Sequence, residues 1–185
     1  MFEELLRKLA EELDRRAIPY MIIGGQALLL YGEPRLTRDI DVTLGMDASQ
    51  VHIVREMLDS LEFAPLVKDL EGFARKTSVV PAIDEPSGIR TDFILSFSEY
   101  EQLAMQRATT VRMREYPVKF ASKEDLVIHK IIAGRPRDLE DVRSVLRKQS
   151  MDKEYIMKWL GAFEQGLSGD FRRTFASIYE EVQKE

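Results

Sequence analysis

The segment Asp39–Leu44 carries two aspartates, Asp39 and Asp41, on either side of Ile40. Its strict alternation and β-branched residues predict a strand. Side chains two residues apart on a strand project from the same face, so the two carboxylates are expected side by side, with Ile40 buried behind them. Carboxylates held this close repel each other, and a hard divalent cation such as Mg²⁺ or Mn²⁺ relieves that repulsion by taking oxygen ligands from both.

A third acidic side chain stands in another apolar segment. Ile89–Leu95 also predicts a strand, and Asp92 is out of place in a strand this apolar. A third carboxylate can ligate the second ion of a two-metal site and help to activate an attacking hydroxyl. We therefore predict that Asp39, Asp41 and Asp92 are the catalytic and metal-binding residues.

A glycine pair, Gly24-Gly25, follows the apolar run Tyr20–Ile23 and precedes a short buried helix that ends at Gly32. A strand-to-helix turn without side chains lets phosphates approach backbone N–H groups, and the helix N-terminus favours negative charge. Neither a Gly-Gly turn nor an Asp-x-Asp is specific alone. Their combination, with thirteen residues between Gly25 and Asp39, is far more specific and indicates a nucleotide.

The DNA polymerase beta-like nucleotidyltransferase superfamily has a signature that three parts of the chain resemble, namely Gly24-Gly25, Asp39-Ile40-Asp41 and Asp92. The closer resemblance is to its minimal bacterial and archaeal members, including AbiEii-type nucleotidyltransferase toxins, in which Gly-Gly, a small helix, Gly and Arg-x-Thr-x-Asp-hydrophobic-Asp recur. The last part reads here Arg35-Leu36-Thr37-Arg38-Asp39-Ile40-Asp41. The string from Lys130 to Asp141 is similar to the lysine, arginine and aspartate string on the C-terminal helices of that group.

This resemblance implies binding of a nucleoside triphosphate with Mg²⁺ or Mn²⁺, and transfer of a nucleoside monophosphate to an acceptor hydroxyl with release of pyrophosphate. Asp39 and Asp41 would hold the metals, and Asp92 would be the third ligand, nearest to the acceptor hydroxyl. Arg38 can steer a triphosphate by its charge. The predicted nucleotide-binding residues are Gly24, Gly25, Gln26, Arg38 and Lys130.

Some of these residues also allow structural interpretations. Arg35 or Arg38 can simply neutralise the acidic cluster, and Lys130 can be a solvated lysine on its helix. Asp138 and Asp141 stand at spacings typical of helix-start caps and short-range ion pairs. We therefore leave these two aspartates out of the catalytic set.

The order of the predicted elements indicates an α/β (α+β) fold. It consists of a mixed-sheet core at residues 1–121 and a helical C-terminal portion at residues 122–185 packed on the core. The resemblance implies that this is a polymerase beta-like nucleotidyltransferase core, with the sheet flanked by helices. Within the core, Phe73–Val80 is predicted as a strand, and Pro81–Gly88, rich in turn formers, as a turn. The spacing of apolar residues predicts C-terminal helices at about 122–133, 137–149, 152–160 and 170–184.

The composition narrows the chemistry further. The 185 residues include no cysteine and only two histidines, so thiol chemistry is excluded and any metal must be held by carboxylates. The contents of 44% hydrophobic and 32% charged residues are typical of a soluble globular protein. The apolar runs are too short to span a bilayer, and the start Met1-Phe2-Glu3-Glu4 lacks the basic residues of a secretory signal, so a cytoplasmic protein without membrane contact is expected.

The leading functional prediction is thus a metal-dependent nucleotidyltransferase whose acceptor hydroxyl belongs to an RNA such as tRNA, to a protein or to a small molecule. The AbiEii resemblance implies a toxin of a toxin–antitoxin pair, with an antitoxin protein as partner. The net charge of −5 suits a cationic small acceptor, as in an antibiotic nucleotidyltransferase. The alternative of another class is a catalytically silent nucleotidyltransferase-like binding module that acts through a protein partner.

Overall fold

The computed structural model describes residues 2–185. Contacts within the chain divide it into two units. The first unit comprises the chain up to Gln26 together with Thr37–Ala121, and the second comprises Ala27–Leu36 together with Ser122–Glu185.

The first unit contains a seven-stranded sheet, counted over the described residues. In chain order its strands are β1 (Tyr20–Ile23), β2 (Asp39–Leu44), β3 (Phe63–Pro65), β4 (Val79–Asp84), β5 (Ile89–Leu95), β6 (Thr109–Met113) and β7 (Tyr116–Phe120). In the sheet they follow the order β3-β4-β5-β2-β1-β7-β6. β2 is parallel to β5 and β1 is parallel to β7, whereas the other neighbours are antiparallel. The predicted mixed sheet is confirmed.

The centre of the sheet is apolar on one face because β2 and β5 alternate in phase. On β2, Ile40, Val42 and Leu44 are buried while Asp39 is exposed; on β5, Phe93 is buried and Arg90 is exposed. The pleat sends successive side chains to opposite faces, so the charged residues of both strands share the other face, namely Asp39, Asp41, Arg90 and Asp92. Burial of the apolar face therefore fixes the side on which the carboxylates lie.

The described part of the first unit also contains the helices α1 (Phe2–Arg15), α3 (Val51–Leu61), α4 (Leu70–Thr77) and α5 (Glu99–Gln106). A short 3-10 helix, Ala48–Gln50, precedes α3. The leucines of α1 recur at helical spacing and are buried, and α1 contacts β6 and β7. α3 and α4 pack against β3 and β4.

The prediction of a strand over Phe73–Val80 is wrong for most of its length. The helix α4 covers the segment as far as Thr77, and β4 begins only at Val79. Asp69 caps the helix, because its side chain accepts a hydrogen bond from the Gly72 N–H at 2.9 Å. β4 then continues through Pro81 to Asp84, so the predicted turn is shorter than expected.

The second unit contains the helices α6 (Lys123–Ala133), α7 (Pro136–Lys148), α8 (Lys153–Phe163) and α9 (Phe171–Val182), which contact one another. Ser122 caps α6, because its hydroxyl oxygen accepts a hydrogen bond from the Asp125 N–H at 3.1 Å. The helix α2 (Gly24–Tyr31) begins in the first unit and ends in the second. Within the described residues, no helix has the length and apolar character needed to cross a bilayer.

Candidate active site

The first unit brings the three predicted carboxylates onto one face of two adjacent strands. In the parallel register of β2 and β5, Asp41 is paired with Asp92, and Asp39 is paired with Arg90. Paired residues on adjacent strands project to the same side and are about 4.8 Å apart. Asp39 is exposed, and Asp41 and Asp92 are partly exposed. A ligand can therefore reach all three carboxylates from solvent.

The N-terminus of α2 lies beside this face, because β1 runs directly into the helix and Ile23 pairs with Asp41. Gly24, the first residue of α2, has a φ of +64°, a left-handed conformation that favours glycine. A Cβ added to Gly24 would overlap Oδ2 of Asp41 and lie 2.9 Å from its Cγ. The missing side chain thus lets the Asp41 carboxylate lie against the start of the helix, where the helix dipole favours its negative charge.

Gly25 must also lack a side chain, because Thr37 lies where its Cβ would be. A Cβ on Gly25 would overlap Oγ1 of Thr37 and lie 2.9 Å from its Cβ. The Thr37 hydroxyl donates to the Asp39 carbonyl at 3.4 Å. The space beside each glycine is therefore filled by a side chain of the Thr37–Asp41 segment, a packing role that the sequence did not reveal. Phosphate binding by the backbone N–H groups of the first helical turn stays a prediction.

Gln26, the third residue of α2, is buried, with 5% of its surface exposed. Its side-chain Nε2 has no hydrogen-bond partner among residues 2–185. Leaving a buried amide donor unpaired costs about 1–3 kcal/mol. A ligand oxygen that accepts from Nε2 would remove this cost, so the observation suits a binding role for Gln26.

Sequence reasoning missed one cation at the site, Arg90. Its Nε donates to Oδ1 of Asp92 at 2.9 Å. This hydrogen bond, together with the negative charges of Asp92, Asp39 and Asp41, raises the pKa of the Arg90 guanidinium above its ordinary value. The signal that could have identified it is the spacing, because Arg90 precedes Asp92 by two residues on the same strand.

Neither of the two arginines predicted as candidates for neutralising the acidic cluster forms an ion pair with Asp39, Asp41 or Asp92 among the described residues. Arg35 lies in the second unit and makes two hydrogen bonds to Asp141, of 2.9 and 2.8 Å. Arg38 is exposed and forms no ion pair with any residue that the structure describes. Arg38 therefore keeps a free guanidinium next to Asp39 in the sequence.

Lys130 is part of a buried charge cluster in the second unit. Its Nζ donates to Asp138 at 3.2 Å and to Asp141 at 2.6 Å, and all three side chains are at most 7% exposed. The interpretation of Lys130 as a solvated lysine is therefore wrong. Burial alone would raise the pKa of Asp141, but the hydrogen bonds from Arg35 and Lys130 outweigh it and hold that pKa below its ordinary value.

A divalent cation fits the donor set in its chemistry. The set offers only carboxylate oxygens, which hard cations prefer, and Asp39, Asp41 and Asp92 share an accessible face. Among the described residues, however, no group of three or more His, Cys, Asp or Glu side chains is assembled to hold a metal ion. The carboxylates are therefore suitable ligands for a divalent cation. One of them, Asp92, is hydrogen-bonded to Arg90 in this structure.

A protein-family model described as "Nucleotidyltransferase of unknown function (DUF6036)" matches residues 1–185. The chain belongs to this family. The DNA polymerase beta-like resemblance is thereby confirmed at the level of a nucleotidyltransferase, whereas the narrower resemblance to AbiEii-type toxins stays a prediction. No curated protein is significantly similar in sequence to this DUF6036 member.

Solved structures of other nucleotidyltransferases share the fold at low identity. ANT(2")-Ia in complex with adenylyl-2"-tobramycin superposes with a TM-score of 0.59 and 18% identity, over 90% of this chain and 98% of that chain. An antigenic nucleotidyltransferase-like protein from Paracoccidioides brasiliensis gives a TM-score of 0.56 and 21% identity, over 96% and 91%. The lincosamide antibiotic adenylyltransferase LnuA, lincomycin-bound, gives 0.50 and 16%, over 74% and 91%. The predicted fold class is confirmed.

Proposed function

We propose that this DUF6036 member is a divalent-metal-dependent nucleotidyltransferase. It moves a nucleoside monophosphate from a nucleoside triphosphate to an acceptor hydroxyl and releases pyrophosphate. The observation that carries the proposal is the register of β2 and β5, which pairs Asp41 with Asp92 on the face that also bears Asp39. Membership of a nucleotidyltransferase family supports the reaction class.

Asp39, Asp41 and Asp92 are the proposed ligands of Mg²⁺ or Mn²⁺. When bound, such an ion neutralises charge on the triphosphate and favours ionisation of the attacking hydroxyl. Asp92 is the proposed acceptor of the hydroxyl proton. Its Oδ2 suits this role, because Arg90 bonds to Oδ1.

The proposed triphosphate subsite lies at the start of α2. The backbone N–H groups of Gly24 and Gly25 belong to the first helical turn, which attracts anions. The unpaired Nε2 of Gln26 can donate to a ligand oxygen, and the free guanidinium of Arg38 can steer the negative charge. Lys130 remains a predicted contact, although its ammonium already donates to two carboxylates.

A cationic small molecule with a free hydroxyl is the acceptor that we would test first. The chain has a net charge of −5, and its exposed Asp39 adds negative charge at the site. Two fold relatives bind antibiotics or their adenylyl derivatives: ANT(2")-Ia is in complex with adenylyl-2"-tobramycin, and LnuA is lincomycin-bound. Transfer to RNA, or to a protein as a toxin restrained by an antitoxin, remains the other version of the same chemistry.

The experiment that tests the proposal is a labelling assay with full-length protein, Mg²⁺ and each α-labelled nucleoside triphosphate. Aminoglycosides, lincosamides, total RNA and protein extract are offered separately as acceptors, and pyrophosphate is measured in parallel. The wild type is expected to label one acceptor pool, and Asp41→Asn to abolish that labelling. Asp59→Asn is the matched control, because Asp59 is exposed on α3 and makes no ion pair among the described residues.

Two outcomes would overturn the proposal. Equal labelling by wild type and Asp41→Asn would show that the chemistry does not depend on this site. If the wild type binds a triphosphate with Mg²⁺ but neither labels an acceptor nor releases pyrophosphate, the chain is the catalytically silent binding module, and its protein partner becomes the question.

A further inference from the structure

Arg90 donates a hydrogen bond to one of the carboxylate oxygens that a metal ion at the proposed site would use. It is paired with Asp39 in the register, and its Nε bonds to Oδ1 of Asp92 at 2.9 Å. The guanidinium therefore lies on the face that carries the three carboxylates.

A guanidinium and a divalent cation compete for the same lone pairs. An Nε–H that points at Oδ1 restricts the approach of a cation to that oxygen and its positive charge repels the ion. The Arg90–Asp92 pair is also easily broken, because the Arg90 side chain is 50% exposed and water replaces its hydrogen bond.

We propose that Arg90 is the internal counter-ion of the metal-free site, and that it releases Asp92 when a divalent cation binds. The inference rests on the proposed function, since it takes Asp92 as a metal ligand. It assigns Arg90 a positioning role, in which the residue acts on the metal through Asp92. In the free protein the carboxylates are partly neutralised without a bound ion, and metal binding includes the loss of one ion pair.

Arg90 and Arg38 are expected to affect metal binding differently. Arg38 adjoins Asp39 in the chain, is exposed and has no ion pair among residues 2–185. Removal of either arginine makes the site more negative and should strengthen cation binding. Only removal of Arg90 also frees an oxygen of Asp92, so its effect should be larger and should depend on that carboxylate.

The test is a titration of the full-length protein with Mn²⁺ in the absence of nucleotide, with free Mn²⁺ followed by electron paramagnetic resonance. Arg90→Gln is compared with the matched control Arg38→Gln, and both Asp92→Asn and the double variant with Arg90→Gln are included. Arg90→Gln should bind Mn²⁺ about two- to five-fold more tightly than Arg38→Gln, the gain expected from loss of a partly exposed ion pair. In the Asp92→Asn background the same substitution should add no more than Arg38→Gln does.

The inference is overturned if Arg90→Gln and Arg38→Gln have equal affinities, or if Arg90→Gln gains as much when Asp92 is already asparagine. Weaker Mn²⁺ binding by Arg90→Gln would also overturn it, because Arg90 would then align Asp92 for the metal. The proposed function fails separately if Asp41→Asn binds Mn²⁺ as the wild type does, since the ion would then lie elsewhere. Thermal unfolding of each variant checks that it is folded.

Discussion

Substitution of Gly24 by alanine tests how the start of α2 positions the Asp41 carboxylate. The residue has a φ of +64°, and an added Cβ would overlap Oδ2 of Asp41, lie 2.9 Å from its Cγ and lie 3.2 Å from its Cβ. The overlap between this Cβ and Oδ2 can be relieved only by a shift of the Asp41 side chain, because β1 runs directly into α2 and holds the helix backbone in place. Gly24→Ala should therefore move a proposed metal ligand while leaving the fold in place.

The stability that Gly24→Ala is expected to lose has two contributions. An alanine in the left-handed region costs about 1–2 kcal/mol relative to glycine. Forcing Asp41 off its rotamer adds about 0.5–1.5 kcal/mol. We expect Gly24→Ala to lower the free energy of unfolding by about 1.5–3.5 kcal/mol. A misplacement of about 1 Å in a reacting group can reduce the rate about 100-fold, so the loss of nucleotidyl transfer should exceed what instability explains.

Gly88→Ala is the matched control. Gly88 has a φ of +68°, and a Cβ there would meet no atom within 4 Å. It carries the conformational cost alone, so it should lose about 1–2 kcal/mol of stability and retain activity at temperatures where it is folded. Urea unfolding and the labelling assay are run on both variants. The reasoning is refuted if Gly24→Ala transfers nucleotide at the rate of Gly88→Ala, since the Gly24–Asp41 contact would then not matter to the site.

Two further predictions concern the second unit. Asp141→Asn should destabilise the protein by about 3 kcal/mol, the low end for a broken buried ion pair, because Arg35 and Lys130 lose the carboxylate that they share. The buried ammonium of Lys130 keeps only its ion pair with Asp138. Since those partners hold the pKa of Asp141 below its ordinary value, its contribution is present at neutral pH and is lost as pH falls, so the deficit of Asp141→Asn in urea unfolding should shrink below about pH 4. Ser122→Ala should cost about 1 kcal/mol, because the Asp125 N–H at the start of α6 loses its cap.

Each of these two substitutions has its own control in the chain. Glu140→Gln changes a 64% exposed acid on the same helix as Asp141 and should cost less than about 1 kcal/mol. An equal effect of the two would show that the buried cluster does not stabilise the fold. Ser98→Ala removes the cap of α5 at an exposed position and should cost less than Ser122→Ala, because water replaces the bond. The reverse order would contradict the account of the α6 cap.

The local pattern of apolar and polar residues was sufficient to predict a strand where one face of that strand is buried. The alternation of Asp39–Leu44 and of Ile89–Leu95 predicted both strands with their observed bounds. Pattern failed over Phe73–Val80, where a β-branched and aromatic composition favoured a strand. The cap by Asp69 and the packing of α4 on β4 make most of it helical instead.

The parts of the site that the sequence did not predict depend on pairing between distant segments. That Arg90 lies opposite Asp39 follows from the register of β2 and β5, which no local pattern specifies. Its hydrogen bond to Asp92, two residues along the same strand, was within reach of the sequence. The contacts of Gly24 with Asp41 and of Gly25 with Thr37 likewise arise only once β1, α2 and β2 are assembled. Sequence reasoning assigned these glycines to phosphate binding, which stays a prediction, and it did not reveal that Asp41 and Thr37 pack against them.

The parallel pairing of β2 with β5 also bears on how the protein acquires its site during folding. α3, β3, α4 and β4 all lie between the two strands in the chain, so Asp41 meets Asp92 only after a long loop has closed. Closure of such loops is slow, because its entropy is lost before the non-local contacts form. Helices such as α1 can form early from local interactions. A molecule with much of its secondary structure would thus still lack the proposed carboxylate set, and nascent or partly folded chains would not carry out the proposed nucleotidyl transfer.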